Sequence, residues 1–167
     1  MSKLLKTRAA LSLFGNERMN CKFYQFVAPD KLAEPDFIEL LLKEEREHFG
    51  VHISGKFIGP FQQQDYHVGN YEVSPLGFRD LLNFYARLPE MYTKADVTDN
   101  PILLVDYLRL IVSSYEMLDG KYFTFKYNYL DKKDTVLFGK EQFQFDYFYQ
   151  FLFIEPQRVS VGYIWYD

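Results

Sequence analysis

Residues 143–153 read FQFDYFYQFLF, and every second position is aromatic: Phe143, Phe145, Tyr147, Tyr149, Phe151, Phe153. Between them stand Gln144, Asp146, Phe148, Gln150 and Leu152. A period of two with one wholly aromatic face is the pattern of a β-strand with that face against a core. The rest of the chain arranges itself around this strand.

The same period continues on both sides. Downstream, after the turn Pro156-Gln157, Val159, Val161, Tyr163 and Trp165 alternate with Ser160, Gly162 and Ile164. Upstream, Phe123, Phe125, Tyr127 and Tyr129 alternate with Thr124, Lys126 and Asn128. Asp131 to Asp134 is a polar turn, Thr135 to Phe138 starts a return strand, and Gly139-Lys140 turns into the 143–153 strand. Short turns between successive strands imply an antiparallel meander. Of the 32 aromatic residues, 16 follow Gly120, so this meander carries the aromatic density.

Before Gly120 the period changes to that of helices. Ser74 and Pro75 are a cap and first-turn pair, and Phe78, Leu81, Leu82, Tyr85 and Leu88 recur at three- and four-residue spacing. Asp99-Asn100-Pro101 starts a second helix, 102–118, apolar on most sides and stopped by Gly120. A third, 36–48, has acidic residues in its first turn and an apolar stripe of Phe37, Ile38, Leu41 and Leu42. Cys21 to Ala28 reads as a strand, 55–73 as an irregular hairpin, and 3–14 as a short basic helix. The expected fold is α+β: an antiparallel, aromatic-rich β-meander of C-terminal strands, covered on one face by two to three helices. One domain spans 1–167, with Met19 a second candidate start and 1–18 an extension.

Charge is placed unevenly. The net charge is −4, yet residues 1–22 hold five basic side chains against one acidic, and residues 30–47 hold seven acidic against three basic. A net-acidic body argues against binding nucleic acid and for a basic protein partner. Cys21 is the single cysteine, which excludes an intramolecular disulfide and favours a reducing, cytoplasmic setting. No apolar run is long enough to span a bilayer, so no membrane association is expected.

Glu44, Glu45, His48 and His52 form the one metal-like cluster. Gly50 falls between the histidines and stops the helix, and Phe49 stands where an H-E-x-x-H motif carries its glutamate. A metal site is not expected. Asp65 and His67, two residues apart, share a strand face and form a candidate acid–base pair, but no nucleophile accompanies them. There is no phosphate-binding glycine loop, dinucleotide motif or nucleophile elbow. No catalytic set and no cofactor is therefore expected.

Two function classes follow. The first is a non-enzymatic binding protein: an acidic, cytoplasmic inhibitor or immunity-type protein that neutralises a basic toxin or nuclease by occluding its active site. Asp36, Glu39, Glu44, Glu45 and Glu47 are its candidate contact residues. The alternative is a small enzyme or ligand-binding domain with a pocket between helices and sheet, drawing on His48, His52, Asp65 and His67. A second copy of the chain is a further candidate partner.

Overall fold

The computed structural model describes residues 5–6, 19–27, 38–40, 42–43, 52–53, 56–57, 65–88, 109, 113–114, 118–134 and 145–166. Its main sheet is built from β1 (Leu5–Lys6), β2 (Met19–Val27), β5 (Tyr71–Val73), β6 (Lys121–Phe125), β7 (Tyr147–Glu155) and β8 (Arg158–Tyr166). The spatial order is β1-β2-β8-β7-β6-β5, with every pairing antiparallel. A separate two-stranded ribbon joins β3 (His52–Ile53) and β4 (Lys56–Phe57). An α-helix, α1 (Arg79–Arg87), lies between β5 and β6 in the chain.

The decisive stretch forms β7, running from Tyr147 to Glu155; residues 143–144 and the expected strand start at 135–138 lie outside the described residues. β7 and β8 make a hairpin in register from Tyr147↔Tyr166 to Glu155↔Arg158. The two-residue connection Pro156-Gln157 is straddled by a fork of contacts. Arg158 Nε donates to Glu155 Oε2 at 2.5 Å and Nη2 to Oε1 at 2.8 Å. Parallel N–H···O bonds of this kind hold geometry as well as charge.

The expectation of helices on one face only is corrected: both faces of the sheet are covered. On one face Tyr147, Tyr149, Phe151 and Phe153 join Tyr122 and Ile164 under Phe78, Leu81, Phe84, Tyr85 and Leu88. The last four are spaced i, i+3, i+4, i+7, which puts one stripe of α1 onto the strand aromatics. On the other face Phe148, Leu152 and Ile154 join Phe123, Phe125, Val161, Tyr163 and Trp165. Ile38 and Tyr66 close that side, with Tyr66 stacked on Phe125 at 5.3 Å. The physical reason lies in the even-numbered positions of β7. Phe148, Leu152 and Ile154 are as apolar as the aromatic face, so a strand exposing them to water would be unstable.

Gln150 is the polar exception, and it is fully buried. Its Oε1 accepts from the Tyr71 hydroxyl at 2.8 Å and its Nε2 donates to the Tyr163 hydroxyl at 2.9 Å. Its main chain is held by a side chain: Asn128 Oδ1 accepts from Gln150 N at 2.8 Å and Asn128 Nδ2 donates to Gln150 O at 3.0 Å. This explains a second difference from expectation. The β6 strand stops at Phe125 and Lys126-Tyr127 turn, instead of running on to Tyr129. The Asn128 amide stands in for the missing peptide unit, since it offers the same donor and acceptor. The ladder then resumes as a bridge, Tyr129↔Phe148.

Gln150→Leu is expected to destabilise the chain by about 2 kcal/mol, because Tyr71 and Tyr163 lose this partner inside the core. Adding Tyr71→Phe and Tyr163→Phe should recover most of that loss, since removing both sides of a buried polar pair is close to neutral. Urea unfolding of the single and triple variants measures it. A fully stable Gln150→Leu would show that the network contributes nothing.

Other expectations shift locally. Ser74 does not cap the helix directly. Its Oγ accepts from Leu76 N at 3.3 Å in a turn through Gly77, whose φ of 56° no helix accommodates, and α1 begins at Arg79. Residues 5–6 are paired as a strand with Phe26 and Val27, not helical as 3–14 was expected to be. An open ladder on β2 gives their backbone groups partners that a short isolated helix in water does not hold. Residues 38–40, 42–43, 109 and 113–114 are helical, within two of the expected helices. Of the expected 55–73 hairpin, the described part gives β4, a 3-10 turn at Val68–Asn70 and β5. No helix among the described residues is long and apolar enough to cross a membrane.

Candidate functional site

Among the described residues, two openings in the surface that bring polar side chains together stand out. The first is a groove of about 440 Å3 lined by Glu39, Leu42, Lys43, His67 and Val68. It runs between the helical residues near 38–43 and the loop before β5. That loop is fixed by its own hydrogen bonds. Asn70 Nδ2 donates to Asp65 O at 2.7 Å, Asn70 N donates to His67 O at 2.8 Å, and His67 Nδ1 accepts from Gly69 N at 3.0 Å. A ring whose Nδ1 accepts carries its proton on Nε2, so the exposed imidazole edge is a donor. Tyr66 is buried in the core between Asp65 and His67, at a tight turn in which His67 N donates to Asp65 O at 3.1 Å, so Asp65 and His67 do not share a strand face as the sequence led one to expect.

The structure brings Glu39 and His67 to one groove from two distant parts of the chain. Both are exposed. Asp65 is half-buried and adjoins His67 in the chain without lining the groove. His52 sits in β3 opposite Phe57. Asp36, Glu44, Glu45, Glu47 and His48 lie outside the described residues. Among the described residues no group of three or more His, Cys, Asp or Glu side chains could hold a metal ion. Cys21 lies in β2, opposite Ile164.

The second opening is a cleft of about 290 Å3 where α1 meets the end of β6. Asp80, Arg87, Asp134, Thr124, Asn128 and Tyr149 supply its polar lining, over Phe84, Phe125 and Tyr129. A chain of hydroxyls runs into it from the core. The Tyr149 hydroxyl donates to Asp80 Oδ2 at 3.1 Å, and the Tyr122 and Tyr149 oxygens are 2.6 Å apart. Tyr149 has one proton and spends it on Asp80, so Tyr122 is the donor to Tyr149. Burial pushes both phenol pKa values above their ordinary range. Both therefore stay protonated at neutral pH, and the relay always points its donors toward the Asp80 carboxylate.

Sequence reasoning did not single out Asp80, Arg87 or Tyr149. A signal was available. Asp80 and Arg87 are seven residues apart on a strongly amphipathic helix, hence two turns apart beside its apolar stripe. A tyrosine on the buried face of a strand also needs a partner for its hydroxyl. Which partner that is depends on the packing of α1 across β7, which no local pattern encodes.

Comparison of the chain with protein-family models, with curated proteins and with solved structures finds no match.

Proposed function

We propose that the chain is a non-enzymatic protein-binding module, an acidic inhibitor of the immunity type, which holds a basic toxin or nuclease in the cytoplasm and occludes its active site. The observation that carries the reading is the groove in which exposed Glu39 and His67 meet from separate elements. A carboxylate and an imidazole N–H on the rim of an open, partly apolar groove suit a protruding basic segment. The carboxylate receives a lysine or arginine, the imidazole donates to a main-chain carbonyl, and Leu42 and Val68 meet the apolar stem. Lys43 on the same rim selects against partners that are basic throughout. The net charge of −4 and the acidic run of residues 30–47 extend the attraction beyond the groove.

Capture from the native lysate at low salt, followed by elution with rising salt, tests this directly. One stoichiometric basic protein is expected in the eluate. Glu39→Lys should weaken its binding roughly fivefold, since one charge reversal at a screened surface is worth about 1 kcal/mol. His67→Ala should weaken it without changing the salt dependence. Binding of a partner that ignores both salt and Glu39→Lys would remove this groove from the interface, and the absence of any basic partner would remove the inhibitor reading.

A further inference from the structure

The loop that carries His67 into the groove is closed by a hydrogen bond that only a neutral ring can make. His67 Nδ1 accepts from Gly69 N at 3.0 Å, across the start of the 3-10 turn Val68–Asn70. The ring lies close over Gly69, where an added β-carbon would come within 3.2 Å of Nδ1. With its one proton on Nε2, the ring keeps Nδ1 as its basic atom. A second proton must therefore go to the atom that Gly69 N–H already occupies. Two N–H groups then face each other at hydrogen-bond distance, and one of them moves. The backbone is held by further bonds. His67 N donates to Asp65 O at 3.1 Å, Asn70 N to His67 O at 2.8 Å, and Asn70 Nδ2 to Asp65 O at 2.7 Å. Tyr66 is buried and stacks on Phe125. The exposed ring is the part that swings.

We propose that His67 is a proton-operated latch on the groove: neutral, it is held by Gly69 and presents Nε2–H to a basic partner; protonated, it leaves Gly69 and lets that partner go. This role rests on the reading of the groove as the seat of a basic segment. The charges around the ring agree in sign with release. Glu39 and Lys43 line the groove with it, from the helical residues on the other side. Asp65 stands at the start of its own loop, and Lys126 meets that loop through its N–H, which donates to Asn70 O at 2.8 Å. With the ring neutral, the groove carries one carboxylate and one ammonium. The imidazolium adds a second cation, which competes with the incoming lysine or arginine for Glu39. Imidazole is the side chain whose ordinary charge change falls between about pH 5 and 8, a range in which ordinary carboxylates and ammonium groups stay charged.

The experiment is a nuclear magnetic resonance titration of the isotope-labelled full chain from about pH 8 to 5, beside His67→Asn. Asparagine at this position bonds the main-chain N–H two residues on, keeps a donor, and does not titrate. In the unchanged chain the Gly69 amide resonance is expected to shift in step with protonation of the ring. In the variant it should stay in place. The probe for the groove is N-acetyl-lysine N-methylamide, which offers an ammonium, an apolar stem and main-chain carbonyls. Its affinity, read from the shifts of Val68, should fall about fivefold from roughly pH 7.5 to 5.5 in the unchanged chain and hold in the variant, since one hydrogen bond is at stake. A Gly69 amide that ignores protonation of the ring, or a ring still neutral at the acid end, overturns the latch. So does an affinity that falls equally in both chains, or in neither. Absence of probe binding at either pH would instead count against the basic-segment reading, and the Gly69 titration would still decide whether the latch exists.

Discussion

Raised through pH 11, the protein is expected to unfold in one steep transition. Five described tyrosines, Tyr66, Tyr71, Tyr122, Tyr129 and Tyr149, have phenol pKa values pushed above the ordinary value near 10, in each case chiefly by burial. In the unfolded chain the same groups ionise near 10. Below that pH both states hold the protons, and the stability is fully present. Above it the unfolded state sheds them and the folded state does not, so stability falls as pH rises. Each such group costs about 1.4 kcal/mol per pH unit, and five together about 7. A domain of ordinary stability, about 5–15 kcal/mol, is then exhausted between roughly pH 11 and 12. Tyrosinate absorbance and far-ultraviolet circular dichroism, followed together against pH, measure it. The buried phenols should ionise only as the sheet is lost. Ionisation of all tyrosines near pH 10 with the sheet intact would show that these hydroxyls reach water in the folded state.

Replacing Gly162 by alanine should cost about 3 kcal/mol, at the upper end of what added core methyls do. Gly162 lies in β8 opposite Phe151 of β7. A β-carbon built there would run into the Phe151 ring. The ring has no place to go. It is 1% exposed, stacks on Tyr122 with centroids 5.1 Å apart, and meets Phe78 edge-on at 5.6 Å. The glycine is thus the seat over which an aromatic ring crosses the neighbouring strand, a device that also covers the bare backbone. A loss of roughly 5–10 °C in Tm is expected. The double variant Gly162→Ala with Phe151→Leu should lose less than the sum of the two single variants, because the smaller side chain vacates the space. A neutral Gly162→Ala would mean that β7 and β8 can slide to admit the methyl.

Gly162 itself was visible in the sequence only as a small residue between Val161 and Tyr163. The alternation around it identified β8, and the same reading identified β7 and the start of β6. The apolar recurrence of Phe78, Leu81, Leu82, Tyr85 and Leu88 likewise marked α1, although Phe84, absent from that pattern, is buried and Leu82 is only partly buried. Such patterns are legible because the backbone fixes which neighbours share a face, and a buried face must be apolar. The second covered face was harder. Gln144, Asp146 and Gln150 interrupt the even-numbered positions of the central stretch, which makes that face look wet. In the folded chain Gln150 is buried and answered by Tyr71 and Tyr163, residues distant from each other in sequence.

The candidate sites were legible to a smaller degree. The acidic helix and the histidine loop were each visible, yet their meeting at Glu39 and His67 depends on which elements lie over the second face. The cleft at Asp80, Arg87 and Asp134 depends on α1 crossing the other face above Tyr149. Local stereochemistry and composition sufficed for β7, β8, the start of β6, the Pro156-Gln157 turn, the amphipathic pattern of α1 and the acidic balance, whereas the expected return strand at 135–138 and the Gly139-Lys140 turn lie outside the described residues. Only the tertiary structure decided that β2 lies beside β8, that the Asn128 side chain completes a ladder, and that both faces are closed. Those outcomes rest on hydrogen bonds and packing between residues far apart in the chain, whose pairing no periodicity records.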